Sequence, residues 1–242
     1  MKITIITVCY NSEKTIEDTI KSVLSQSHEN FEYIIIDGQS KDHTLDIINR
    51  YTNDKRIRLI SEKDKGLYDA MNKGIINSSG DIIGIINSDD VVYDNNIFQT
   101  VIDNFDDNTD IVYADVLYCD EKLENTVRNY ISGENKADFW CPAHPSMYIR
   151  KEVYEKIGLY NLDYKVVADY DFMVRCNAAG MNFKYVKQYF VKMRYGGLSN
   201  GIKGYIIDFI EVYKTLKNNK IKLPLTKTVI RSIQTIIQII RK

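Results

Sequence analysis

No glycine follows the first apolar run of this chain: Thr7-Val8-Cys9-Tyr10-Asn11 stands where a dinucleotide fold needs G-x-G-x-x-G and a Walker A loop needs G-x-x-x-x-G-K-S/T. Both patterns use glycine to bring backbone amides up to a phosphate, so their absence argues against two large nucleotide-binding classes. Cysteine is scarce too. Cys9, Cys119, Cys141 and Cys176 lie far apart, with no C-x-x-C pair and no histidine at zinc-finger spacing, so they read as reduced, mostly buried thiols. No run of about 18 apolar residues occurs, so no bilayer-spanning helix is expected. The N-terminal apolar stretch passes into Asn11-Ser12-Glu13-Lys14 without a small-residue cleavage site, which predicts a cytoplasmic chain without a signal peptide. There is no internal repeat and no low-complexity segment.

What is present is an ordinary soluble composition with an uneven charge. Of 242 residues, 44% are hydrophobic and 27% charged, enough to bury a sizeable α/β core. The formal net charge of −1 argues against a nucleic-acid partner. Yet Val212 to Lys242 holds no acid and eight bases: Lys214, Lys217, Lys220, Lys222, Lys227, Arg231, Arg241 and Lys242. That leaves 24 of the 32 basic residues against all 33 acidic ones, about −9 for residues 1–211 against +8 for the tail.

Strand and helix patterns alternate at roughly twenty-residue spacing. Residues 2–8 are β-branched and nearly continuous, as in a strand buried on both faces; Tyr33 to Ile36, Ile57 to Ile60 and Ile82 to Ile86 repeat the pattern. Between them, helices are expected from a Ser12 N-cap to Gln26, over Thr44 to Tyr51 and over Tyr68 to Ile76. Right-handed βαβ units and a mostly parallel sheet follow. Beyond Asp90 the pattern loosens: a helix over Ile97 to Phe105, a strand over Ile111 to Ala114, and a polar stretch over 116–136 that reads as a hairpin or a loop. A strand over Ser146 to Ile149, helices over Lys151 to Ile157 and Tyr170 to Ala179, one or two strands over Phe183 to Met193, and two C-terminal helices complete the expectation.

The polar clusters fall after strands, where open α/β sheets bind ligands. Asp89 and Asp90 end the fourth apolar run and read either as an oxygen-ligand cation site or as a polar turn. Asp37 reads equally as a hydrogen-bond acceptor for a base or ribose and as a turn residue; Asp42 reads as a helix cap. Asp169 and Asp171 lie at the start of a helix, where the second suits an i,i+4 pair with Arg175.

Residue order adds to this. Thr7-Val8-x-Tyr10-Asn11, Asp37-Gly38-x-Ser40-x-Asp42-x-Thr44, Glu62-x-Asp64-x-Gly66-x-Tyr68-Asp69-Ala70-Met71-Asn72-Lys73-Gly74 and Asn87-x-Asp89-Asp90 together resemble the family 2 inverting glycosyltransferases, which have the GT-A fold and include many enzymes of bacterial surface-polysaccharide assembly. The resemblance covers residues 1 to about 200. It implies a catalytic domain over 1–204, with a nucleotide-sugar half (1–115) and an acceptor half (116–204), followed by a helical tail over 205–242. By the same resemblance, Thr7, Val8 and Tyr10 line a nucleobase pocket, Asp37 pairs with the base, and Asp64 and Lys65 lie over the nucleotide. Asn87 stands near ribose and phosphates, Asp89 meets the ribose or sugar, and Asp90 binds Mn2+ or Mg2+. Asp169 is the general base; many relatives carry Glu before it, where this chain has Ala168. The implied reaction is hexosyl transfer with inversion from a nucleotide sugar, commonly a UDP-sugar, to a glycan or lipid-linked glycan.

Three further residues are candidates for the acceptor side or a lid. Trp140 and His144 flank a Cys-Pro-Ala stretch, and His144 reads equally as structural or functional; Arg194, before Gly196-Gly197, reads as a charge clamp or as part of a turn. In the tail, Val229, Ile230, Ile233, Ile236, Ile237 and Ile240 share one helical face. A cationic amphipathic helix of this kind suits an anionic membrane surface, which would make the protein peripheral at the inner face of the cell membrane, though packing on the domain or on a second subunit explains the face too. A sugar nucleotidyltransferase is the competing enzyme class, but it needs a glycine-rich basic loop after the first strand. A silent nucleotide-sugar scaffold is the non-enzymatic alternative, and it has no need of Asp169.

Overall fold

The computed structural model describes residues 1–134, 141–196 and 202–240. Its first half is built as the hydrophobic periodicity demands. Strands β1 (Ile3–Cys9), β2 (Phe31–Asp37), β3 (Ile57–Ser61) and β4 (Ile82–Ile85) alternate with helices α1 (Ile16–Leu24), α2 (Thr44–Asn49) and α3 (Leu67–Asn77). The strands pair in parallel, in the order β3-β2-β1-β4. Every residue of β1 is buried, because helices cover both faces. Its side chains alternate: Ile6 and Val8 join one apolar layer, while Ile3, Ile5 and Cys9 join the other.

The register decides where the loops go. Cys9 pairs with Asp37, and Asp37 with Ser61, so three strands end level and their following loops share one edge of the sheet.

The second half extends the sheet with mixed polarity. It contributes β5 (Asp90–Val92), α4 (Ile97–Asn104), β6 (Ile111–Cys119), β7 (Thr126–Tyr130), a 3-10 turn (His144–Ser146), β8 (Tyr148–Arg150), α5 (Lys151–Ile157), α6 (Ala168–Ala178) and β9 (Phe183–Arg194). Among the described residues the sheet continues β4-β8-β6-β9-β5, with β7 on β6. Here the structure resolves or adjusts the sequence expectations. Within the 116–136 stretch, residues 116–130 form a hairpin, and β6 runs five residues past Ala114 despite Asp115 in its middle. That carboxylate is buried yet satisfied, accepting from the Ser132 amide at 2.8 Å and from the Tyr185 hydroxyl at 2.8 and 2.9 Å. The strand expected from Ser146 starts only at Tyr148, because Pro145 sits in the 3-10 turn. Helix α1 begins at Ile16; Ser12 is not its side-chain cap and instead lies 2.9 Å from the Ser88 hydroxyl.

Two C-terminal helices follow, α7 (Ile202–Asn218) and α8 (Pro224–Ile240). α7 adds Val212 and Leu216 to the core layer that holds α3, α5 and α6. α8 is turned the other way from a normal surface helix. Thr228 is buried, and Arg231 points inward to the Asp208 carboxylate at 3.0 Å and the Tyr170 ring at 4.5 Å, while Leu225, Val229, Ile230 and Ile233 are exposed. Arg231, counted above with the surface charge of the tail, is therefore part of the packing.

Candidate functional site

The level strand ends bring the first three motifs together, and most of their polar residues bind each other. Asn11 adopts a positive φ of 51°, tolerable for asparagine, and so faces the loop after β2. Its amide donates to Ser40 Oγ at 2.8 Å and its Oδ1 accepts from the Lys41 amide at 2.8 Å. Asp42 accepts from the Thr44 amide at 3.0 Å and the Glu13 amide at 3.1 Å, and Thr44 Oγ1 accepts from the Ser12 amide at 2.7 Å. Ser40, Asp42 and Thr44 thus stitch two loops into one rim. Asp42, read as a helix cap, is not the N-cap of α2, which is His43; it binds amides on both sides of that rim.

Tyr10 stands exposed on this rim, with its ring edge against Gly38. A side chain at position 38 would collide with the Asp64 carboxylate, so glycine is required for Asp64 to lie across the end of β2. Asp64 also accepts from the Gly66 amide at 2.9 Å. Lys65 is exposed, its amide held by Asp69 Oδ2 at 2.9 Å. Asp37 is fully buried beneath them, accepting from Ser61 Oγ at 2.6 Å and from the amides of Gln39 and Ser40 at 3.1 to 3.3 Å. It holds the turn that follows β2. Thr7 and Val8 are likewise buried: Thr7 Oγ1 accepts from the Tyr33 hydroxyl at 2.9 Å and Val8 belongs to the core.

The fourth motif lies on the same edge. After β4 the chain turns through Asn87 and Ser88, closed by the Asp90 amide donating to the Asn87 carbonyl at 3.1 Å. Asp90 then enters β5, paired with Met193, and Thr19 of α1 holds its carbonyl at 2.7 Å. Its carboxylate is almost wholly buried, bonded by the Asn87 amide at 3.1 Å. Burial, and secondarily the neighbouring charge of Asp89, pushes the Asp90 carboxyl well above the usual range. Asn87 Oδ1 is buried without a hydrogen-bond partner among the described residues.

A penalised carboxylate beside an orphaned amide oxygen is a donor set that suits a hard divalent cation. Among the described residues no group of three or more acidic, histidine or cysteine side chains closes a full cage, so ligand oxygens would have to complete the coordination. Arg194, read as a charge clamp or as part of a turn, is bonded to protein groups. It donates to the Asp89 carbonyl at 2.7 Å, the Glu121 carbonyl at 2.8 Å and the Asp18 carboxylate at 2.5 Å, bracing the acidic turn from behind.

The second carboxylate centre is Asp169, in the first turn of α6. Its Oδ1 lies 3.0 Å from the hydroxyl of Tyr68, which also donates to the Val166 carbonyl at 2.7 Å. Burial, with Asp169 adding to it, keeps this phenol firmly protonated. Asn72, one turn further along α3, binds both the amide and carbonyl of Tyr160, at 3.0 and 2.9 Å. Gly74 lets α3 settle against Ile6 of β1. The third motif is therefore the scaffold of Asp169, a role its spacing did not reveal. Ala168 is fully buried, and Asp171 pairs with Arg175 at 2.8 Å as its spacing suggested.

His144 is close enough to Asp169 to feel its charge; burial lowers its pKa, and Nε2 is buried without a partner among the described residues. Trp140 lies outside the described residues. The β6–β7 hairpin connects the two centres. Tyr118 is close enough to Asp90 to feel its charge, Tyr130 donates its hydroxyl to the Cys141 carbonyl at 3.2 Å, and Cys141 is close enough to Asp169 to feel its charge. Arg128, in the stretch that gave no sequence signal, stacks on Tyr118 at 4.3 Å, and its buried Nε has no acceptor among the described residues.

Comparison with known proteins bears on the family and the fold. Residues 4–190 match the model of "Glycosyl transferase family 2". A PGL/p-HBAD biosynthesis glycosyltransferase of Mycobacterium bovis is 31% identical over 193 residues, 76% of this chain and 73% of that protein. An uncharacterized glycosyltransferase of Methanocaldococcus jannaschii is 27% identical over 90% of this chain and 79% of its own length. Among solved structures, S. aureus TarS 1-349 in complex with UDP-GlcNAc superposes with a TM-score of 0.69 at 17% identity, over 89% of this chain and 67% of that one. The mannosyltransferase PcManGT of Pyrobaculum calidifontis, in complex with GDP-Man and Mn2+, gives 0.65 at 13% identity, over 97% and 74%. These last two establish the GT-A architecture. With three quarters of its length inside the family model and a relative above 30% identity, the chain belongs to glycosyl transferase family 2.

Proposed function

We propose that this glycosyltransferase moves a hexosyl group from a nucleoside diphosphate sugar, with UDP as the nucleotide, to a hydroxyl of a glycan or lipid-linked glycan, with inversion. The observation that carries the reading is the pair of carboxylate centres joined by one hairpin: Asp90, buried and charge-penalised, and Asp169, whose carboxylate is bonded among the described residues by Tyr68 alone. The bound UDP-GlcNAc of TarS and GDP-Man of PcManGT support a nucleotide sugar.

In this reading Tyr10 and Asp64 flank the base above the turn that Asp37 holds, and Lys65 lies over the nucleotide. Asn87 and Asp89 face ribose, phosphates or sugar. Asp90, with Asn87, would hold Mn2+ or Mg2+, which when bound offsets the negative charge of the departing diphosphate. Asp169 accepts the proton of the acceptor hydroxyl, whose oxygen attacks the anomeric carbon from the face opposite the diphosphate; one displacement inverts that centre. Tyr68 keeps the carboxylate oriented, and His144 lines the acceptor side.

The test is a thermal-shift screen of UDP, GDP and their sugars with and without MnCl2. A ligand at a hundred times its Kd stabilises by about 2.7 kcal/mol, roughly 5–10 °C for a domain of this size. UDP compounds should raise the midpoint only with the cation present. Equal shifts without it would remove the metal from the reading, and none with any nucleotide would remove the donor.

The inverted amphipathicity of α8 supports a membrane partner for the same protein. Leu223, Leu225, Val229, Ile230 and Ile233 are exposed, and so are Lys214 and Lys217 of α7 and Lys220 and Lys222 of the α7–α8 turn. No described helix is long and apolar enough to cross a bilayer, so contact would be interfacial. Each basic residue near an anionic surface contributes about 1 kcal/mol. The protein should therefore sediment with phosphatidylglycerol vesicles and not with phosphatidylcholine ones, and Ile230→Asp with Ile233→Asp should release it. Unchanged sedimentation of the double variant would exclude α8 as the contact.

A further inference from the structure

We propose that Glu211 of α7 is a positioning residue for Asp169, acting through the backbone of residues 165–167; this rests on the reading of Asp169 as the base. Glu211 is 7% exposed and forms no ion pair among the described residues. Its carboxylate instead accepts four backbone contacts: the Lys165 amide at 3.0 and 3.1 Å, the Val166 amide at 3.0 Å and the Val167 amide at 3.3 Å. These amides lead directly into α6, whose N-cap residue Val167 has no side chain able to cap. Glu211 thus caps α6 from another helix, with charge-assisted bonds and a negative charge at the positive end of the helix.

The geometry continues on the far side of the same peptides. The Val166 carbonyl accepts from Tyr68, and the Tyr68 hydroxyl reaches Asp169 Oδ1. One three-residue segment is therefore gripped by Glu211 through its amides and by Tyr68 through a carbonyl, and Asp169 follows two residues later. α7 grips α6 a second time, where Asn219, just past its end, donates to Asp171 Oδ1 at 3.3 Å. A buried carboxylate without a counter-charge is costly for packing alone, since an apolar side chain would fill the space without the desolvation. What it supplies here is a fixed entry into the helix that carries the base.

The test uses the full chain with Glu211→Gln and Glu211→Ala, beside Asp169→Asn. Three readouts are taken: hydrogen exchange at residues 165–167, the stoichiometry and affinity of UDP with MnCl2, and the rate of UDP release from a panel of UDP-sugars. Glu211→Gln should speed exchange at those amides at least tenfold and lower kcat tenfold to a hundredfold. UDP affinity should stay within twofold and full stoichiometry should remain, which a merely unfolded fraction would not allow. Glu211→Ala should do more of the same. If it fails to fold, Glu211→Gln decides alone. Wild-type exchange, or wild-type kcat beside an inert Asp169→Asn, overturns the role of Glu211 and leaves the base standing. Wild-type turnover by Asp169→Asn overturns the base itself, and the positioning role with it.

Discussion

Asp169→Asn lowers turnover by about a hundred- to ten-thousand-fold while leaving the fold and donor affinity in place. The amide has the size of the carboxylate and keeps an oxygen for the Tyr68 hydroxyl, so the 3.0 Å contact and the packing of α6 survive. What is lost is the capacity to take a proton as the acceptor oxygen attacks. The measurement is a pair: steady-state transfer or donor hydrolysis for kcat, and UDP titration with Mn2+ for donor binding. A loss below about threefold in kcat, or a matching loss of UDP affinity, would move Asp169 out of the chemistry and into donor binding or structure.

Asp90→Asn produces the opposite combination in stability and function. In the protein without cation, burial and Asp89 raise the folded-state pKa of Asp90 above its unfolded value, so its favourable contribution is complete below the unfolded pKa and is lost as pH rises through the folded one. The variant has no charge to bury. Its midpoint should exceed that of wild type near neutral pH by about 2–4 °C, the shift expected for roughly 1 kcal/mol in a domain this large. The difference should vanish toward acid pH. Cation reverses the order: Mn2+ competes with the proton for Asp90, so its stabilisation of wild type should grow with pH and be absent from Asp90→Asn. Turnover should fall at least a hundredfold. Thermal melts from pH 5 to 8, with and without MnCl2, read all of this; parallel curves for the two proteins would show that Asp90 is neither penalised nor a cation ligand.

The fold was legible because its signals are local. The β-branched runs of β1, β2 and β4 and the helical faces between them are periodicities of two and about 3.6, visible without a partner. The same is true of the motif residues, which family membership now places in a glycosyltransferase. The details that failed were those settled by a distant partner. Asp115 looked like the end of a strand until Ser132 and Tyr185 satisfied it, and Ser12 looked like a cap until Ser88 faced it. Arg194 read as a charge clamp or as part of a turn, and the structure gives its guanidinium three acceptors on three segments.

Asp89 and Asp90, Asp169 and the basic tail could be named from residue order alone, because motif spacing and charge asymmetry belong to the chain itself. That Tyr68 answers to a carboxylate 101 positions away, that Glu211 of the basic-tailed helix pair caps α6, and that α8 hides Arg231 while exposing Val229 and Ile230 follow only from packing. Helical periodicity marks which residues share a face but not which face turns inward. That choice is made by the partner surface, and here the half-buried Asp208 and the buried Tyr170 draw in the polar side.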